Sequence, residues 1–250
     1  MPNIVITGAA SGLGQAFLQS YLLDSSNNIL AADREPIPLP TLSGKHATVH
    51  RTTLDITCES ALLEWARELE CRQDKKIDIV IHCVGIRGLV PQVEMKDPND
   101  VAACETMEVM DPETMRRTFE INALGTFNLM RLLLPYLRLA AKEDSTRTPK
   151  VIVMSSRMGS IAANIGGGAY AYRASKAALN AIMKSFSIDV PEVAWVLVHP
   201  GRVETRLVKW REEGAISAEE SVQDMMNLVS QFGKGNSGKF YDRFGNEILW

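Results

Sequence analysis

Tyr172-Arg173-Ala174-Ser175-Lys176 carries a phenol and an ammonium four residues apart. On a helix, positions i and i+4 share a face, so the two groups would be presented together. A free phenol, with a pKa of about 10, is protonated at neutral pH. A neighbouring cation favours the phenolate and brings the group into a range useful for proton transfer. Tyr170 lacks such a helper, because Ala174 stands four residues after it. Upstream, Val151-Ile152-Val153-Met154 ends in Ser155-Ser156-Arg157-Met158-Gly159, and a hydroxyl there either holds a carbonyl oxygen or makes an ordinary turn. Phe119-Glu120-Ile121-Asn122-Ala123-Leu124-Gly125 sets one amide, Asn122, in an apolar helix, where it is costly unless partnered.

A second constellation lies at the start of the chain. Thr7-Gly8-Ala9-Ala10-Ser11-Gly12-Leu13-Gly14 follows the first apolar run and opens the first helical segment. Glycines permit a tight turn and close approach of a pyrophosphate, whose charge the free N–H groups of the helix start bind. The spacing is Gly-xxx-Gly-x-Gly. Asp33 directly follows the second strand, where a carboxylate accepts hydrogen bonds from the ribose hydroxyls of NAD and repels a 2′-phosphate. Arg34 could grip that same phosphate. Ser11 leaves the glycine turn without a Lys or Arg, so NAD(H) is favoured over NADP(H). Asp55, followed by Ile56, sits just after the third strand, either at the adenine edge or as a turn-forming residue.

The elements that position these residues alternate short apolar runs with longer segments of helical period, as βαβ units do. Strands are expected at Ile4–Thr7, Ile29–Ala32, Thr48–Leu54, Ile77–Cys83, Lys150–Met154, Ala194–His199 and Gly238–Tyr241. Helices are expected at Leu13–Leu23, Ser60–Arg72, Pro112–Leu139, Tyr170–Val190 and Ala218–Phe232. The pattern predicts an α/β fold, one doubly wound Rossmann-type domain over residues 1–250 with a seven-stranded, mostly parallel sheet. Pro36, Pro38 and Pro40 exclude a normal helix from the 34–46 crossover. The polar segment from Arg87 to Glu108 reads as a mobile surface loop in preference to a pocket rim.

Net charge is −3 with no cluster of basic residues, which argues against nucleic acid or a membrane surface as partner. Cys58, Cys71, Cys83 and Cys104 show neither CxxC pairing nor zinc-site spacing, so they read as reduced thiols of a cytoplasmic protein with no metal. The chain opens directly on a strand, leaving no room for a signal peptide, and no apolar stretch is long enough to span a membrane.

Taken in order along nearly the whole chain, the glycine turn, Asp55, Asn122, Ser156, Tyr172-xxx-Lys176 and Pro200-Gly201 resemble the short-chain dehydrogenase/reductase family, in particular its smaller carbonyl-reductase and C-factor-like members. The resemblance implies Tyr172 as general acid/base, Ser156 polarising the substrate carbonyl, Lys176 on the nicotinamide ribose, and Asn122 supporting a water linked to Lys176. It also implies dinucleotide contacts from Gly8, Ser11, Gly12, Leu13, Gly14, Asp33, Arg34, Asp55, Ile56, Gly85, Pro200, Gly201, Val203 and Thr205. The family's Asn-Asn-Ala-Gly is replaced by His82-Cys83-Val84-Gly85, which puts its sheet-end hydrogen bonds in question. His82, Cys83 and His199 read as packed residues, not catalytic ones. The interval between Ser156 and Tyr172 is wider than the family's usual one and holds Gly166-Gly167-Gly168.

The expected activity is hydride transfer between a nicotinamide and a ketone or secondary alcohol. Met154, Met158 and the Ile161–Ile165 loop suggest an apolar substrate pocket. A non-catalytic dinucleotide-binding regulator of the same fold is the alternative, disfavoured because both Tyr172 and Lys176 are present. A homodimer or homotetramer through the two longest helices is compatible with the pattern.

Overall fold

A computed structural model describes residues 1–40, 44–144, 146–209 and 213–250. Seven strands form one sheet: β1 (Asn3–Thr7), β2 (Asn28–Asp33), β3 (Thr48–Thr53), β4 (Ile79–His82), β5 (Lys150–Met154), β6 (Ala194–His199) and β7 (Lys239–Asp242), in the order β3-β2-β1-β4-β5-β6-β7. Every pairing is parallel, where a mostly parallel sheet was expected. The helices are α1 (Gly12–Leu22), α2 (Glu59–Glu70), α3 (Pro91–Glu94), α4 (Pro112–Phe119), α5 (Thr126–Glu143), α6 (Tyr170–Asp189) and α7 (Ala218–Gln231). Among the described residues no helix is long and apolar enough to cross a membrane.

Strand residues alternate between two cores because both sheet faces are covered. Val5, Val151, Val153, Trp195 and Leu197 face the core packed by α2, α5 and α6. Ile4, Ile6, Ile152, Val196 and Val198 face that of α1 and α7. The chain winds outward from β1 in one direction and from β4 in the other, so a crevice opens between their C-terminal ends. β3 is a polar edge strand reached through 34–46; residues 34–40 and 44–46 of that crossover form no helix, and 41–43 lie outside the described residues.

Two expectations change. The single helix expected at Pro112–Leu139 is α4 and α5 separated by a π turn, Glu120–Gly125. The wider turn coincides with the hydrogen bonds that draw the buried Asn122 amide out of its helix toward its neighbours, a common cause of such a bulge. The Arg87–Glu108 segment is not a free surface loop: it contains α3 and a short 3-10 turn, Ala103–Glu105, and its two ends are closed by an ion pair between Arg87 and Glu105.

Candidate active site

The crevice between β1 and β4 holds a cleft of about 550 Å³, lined at one end by Asp33, Arg34, Asp55 and Ile56 and at the other by Tyr172, Lys176 and Met154. Gly8, Ser11, Gly12, Leu13, Gly85, Pro200 and Thr205 line the stretch between. A methyl on Gly8 would come within 3.0 Å of the Cys83 carbonyl carbon, so the turns after β1 and β4 touch backbone to backbone. Ser11 makes no side-chain cap on α1, and its first turn has no acidic residue, which leaves the N–H groups of the helix start available to an anion. Gly12 has φ +53°, and a Cβ there would press on Thr205 at 3.1 Å. These features fit a dinucleotide whose pyrophosphate crosses the start of α1.

Five expected residues lie off the cleft wall. Gly14 faces the Gly8 carbonyl, which a Cβ would meet at 2.1 Å, so its role is packing. Gly201 borders a second, smaller cavity with Arg157, His199 and Arg243. Val203 is held in a short parallel bridge to Ile216. Asn122 and Ser156 are buried just behind the wall. At the ribose end, Asp33 accepts hydrogen bonds from the N–H of Ala10 and of Glu35, both at 2.9 Å. Asp55 accepts from Thr57 N–H and hydroxyl, the turn-forming alternative. Burial raises its carboxyl, but those bonds and nearby Arg34 outweigh it and hold the group below the usual range.

At the other end, Tyr172 and Lys176 rise from the first turns of α6, 5% and 3% exposed, with Lys176 Nζ 5.8 Å from the phenol ring centre. The ammonium donates to the Met154 carbonyl at 2.9 Å, and burial pulls its pKa down to about 8. Asn122 is fully engaged: Oδ1 accepts from Ile86 N–H at 2.8 Å, and Nδ2 donates to Ile86 O and the Ser175 hydroxyl. Its side chain therefore braces the β4 end against α6. A methyl on Gly85 would sit 3.3 Å from Asn122 Oδ1 and 3.4 Å from Lys176 Nζ, a tight fit between the two side chains.

The two serines separate by their partners. Ser155 donates to the buried Asn180 Oδ1 at 2.6 Å. Ser156 Oγ accepts from Met158 N–H at 3.2 Å, which leaves its own proton to donate. His82 bridges Thr7 and Thr126 with its two ring nitrogens and is wholly buried, so its pKa falls to about 3. Burial likewise raises the Cys83 thiol, and burial with Arg157 lowers His199 to about 4. The Ile161–Ile165 loop does not build the apolar pocket expected of it. Ile161 and Ile165 are 78% and 99% exposed, because Ser160 and Ala162 bond to the carbonyls of Leu249 and Trp250 and turn the loop outward. Sequence reasoning also missed Arg206 and Leu207, which follow Thr205 onto the cleft wall, and Arg87 over the Tyr172 ring, which no spacing rule links to a residue so far along the chain.

A family model described as short chain dehydrogenase matches residues 2–215. The chain belongs to the short chain dehydrogenase family. As such it is an NAD(P)-dependent oxidoreductase of CH-OH and C=O groups. It is 38% identical to C-signal of Myxococcus xanthus over 176 residues, 70% of this chain and 93% of that protein. It is 27% identical to the 1-hydroxy-2-glutathionyl-2-methyl-3-butene dehydrogenase of Rhodococcus sp. (strain AD45), with both chains fully covered. Among solved structures, the NADPH-bound carbonyl reductase from chicken fatty liver superposes with a TM-score of 0.81 at 25% identity, covering 100% of this chain and 99% of that one.

Proposed function

We propose that this dehydrogenase interconverts a small ketone and its secondary alcohol, with Tyr172 as the general acid/base. The observation that carries the reading is the meeting of Tyr172 and Lys176 in the same cleft as the glycine turn. When bound, the nicotinamide supplies or accepts the hydride. Tyr172 gives its phenolic proton to the forming alkoxide during reduction and takes it back during oxidation. Ser156 donates to the carbonyl oxygen and orients it. Lys176 holds a positive charge close to the phenol and offers ammonium protons to ribose hydroxyls. Asn122 keeps Ile86 and Ser175 in register, and so keeps the β4 end against α6.

Asp33 favours NAD(H) at the ribose end, since its carboxylate is fixed by Ala10 N–H and repels a 2′-phosphate. The chicken reductase holds NADPH. Melting shifts with NAD(H) and NADP(H) side by side decide the matter here: a larger shift with the phosphorylated form would show that Arg34 outweighs Asp33. The similarity to C-signal supports a second reading, a dinucleotide-binding regulator. The enzymatic reading is tested with Tyr172→Phe against a panel of ketones, following NAD(P)H absorbance. Turnover falls by about 100-fold or more while cofactor affinity changes little; turnover that survives the substitution refutes the role.

A further inference from the structure

The segment between β4 and α4 supplies a pair that the chemistry above does not use. Arg87 donates to both carboxylate oxygens of Glu105, Nε to Oε1 at 2.5 Å and Nη2 to Oε2 at 3.0 Å, with side chains only 15% and 8% exposed. The guanidinium carbon lies 4.8 Å from the centre of the Tyr172 ring. Glu105 acts a second time through its main chain, its carbonyl accepting from Ala169 N–H at 3.0 Å. Ala169, the residue directly before α6, has φ +49° and is the single non-glycine in the left-handed region among the described residues. Next to Arg87, a Cβ on Gly88 would meet Ala171 at 3.0 Å, so this stretch is pressed against the first turn of α6. One pair thus closes the segment, holds a strained residue at the start of α6, and sets a planar cation against the phenol.

Resting on the acid/base reading of Tyr172, we propose that Arg87 and Glu105 are a positioning pair that fixes the Tyr172 ring and sets how readily its phenol releases a proton. A guanidinium over an aromatic face stabilises negative charge developing on that ring, and a bidentate carboxylate both orients the guanidinium and opposes its field. The two partners therefore act with opposite sign. Other charged groups near the phenol are Lys176 and Arg173 on its own helix, with Arg173 turned toward the Gly167 carbonyl. Glu113 and Arg117 of α4, Glu120 of the π turn and the Cys83 thiol line the same cleft. All of these stay the same in every variant, so differences between variants isolate the pair.

The phenol can be titrated directly by tyrosinate absorbance, without any substrate. The chain has 5 tyrosines, and subtracting the curve of the matching Tyr172→Phe protein leaves Tyr172 alone. Glu105→Gln keeps a hydrogen-bond acceptor for Arg87 and removes the negative charge, and it lowers the Tyr172 midpoint by on the order of half a pH unit or more. Arg87→Met raises the midpoint by a similar amount, and Arg87→Lys stays nearer to wild type. Should Arg87→Met fail to fold, Glu105→Gln and Arg87→Lys decide alone. An unmoved or raised midpoint in Glu105→Gln, or shifts of the same direction in both single variants, overturns the proposal, since lost packing has no charge sign. Turnover that survives in Tyr172→Phe would instead refute the acid/base role, a result separate from the titration.

Discussion

His82 Nδ1 lies 2.7 Å from Thr7 Oγ1, a side-chain bond between the paired last residues of β4 and β1, directly under the glycine turn. The opposite ring nitrogen meets Thr126 Oγ1 at 2.9 Å, so one histidine ties both walls of the crevice to α5. This replaces the sheet-end bonds that the departure from Asn-Asn-Ala-Gly put in question. Folded His82 has a pKa near 3, against about 6.5 in the unfolded chain. The unfolded state therefore takes up the proton first as pH falls. The protein keeps the full benefit of neutral His82 above about 6.5 and loses up to about 1.4 kcal/mol per pH unit on the way down toward 3. Urea denaturation from pH 7 to pH 4 should show a shallower decline in His82→Gln than in wild type. Equal slopes would mean the ring is not held neutral.

Gly12 and Gly14, two positions apart, should respond differently to the same methyl. Gly14→Ala drives its Cβ to 2.1 Å from the Gly8 carbonyl oxygen, where backbone cannot yield, and costs about 3 kcal/mol of stability. Gly12→Ala places its Cβ against the movable Thr205 side chain and meets chiefly the φ +53° strain, about 1 kcal/mol. Chemical denaturation ranks them, and Gly12→Ala should still fold while binding cofactor less tightly.

Ser155→Ala leaves Asn180 Oδ1 without its buried donor and destabilises the protein by about 1–3 kcal/mol. Ser156→Ala gives up only the cap bond to Met158 N–H, about 0.5–1 kcal/mol, and lowers kcat about 100-fold through loss of the donor to the substrate carbonyl. Paired melting and turnover measurements separate the two; a reversed pattern would exchange their roles.

Lys176 is a buried cation whose pKa is drawn down to about 8 by lost hydration. Because the unfolded lysine titrates at about 10.4, the unfolded chain holds more protons between these values, and this group's contribution to stability rises with pH across that window. Lys176→Met removes the dependence. It gains on the order of 1 kcal/mol at pH 7, while turnover falls sharply. A variant that is less stable than wild type at every pH would show that the bond to Met154 O outweighs the desolvation of the charge.

Local spacing made much of this molecule legible. Short continuous apolar runs announced strands buried on both faces, as Val151 and Ile152 on opposite cores illustrate. The glycine turn and Tyr172-xxx-Lys176 could be read because each depends on residues only a few positions apart, on a turn or one face of a helix. Pairings across long intervals were not legible. Nothing in the order of residues shows that Glu105 reaches Arg87, that Asn122 is satisfied by Ile86 and Ser175, or that Ser160 swings its loop toward the C-terminus.

The sequence by itself therefore determined the parallel α/β layers, the anion-binding turn and the phenol–ammonium face, since backbone geometry alone converts those short intervals into shape. The tertiary structure decided which serine keeps a free proton, that the segment after β4 closes over the tyrosine, and that Ile161 and Ile165 face solvent. Hydrogen bonds and ion pairs between distant residues exist only once packing has brought the partners within about 3 Å and excluded water.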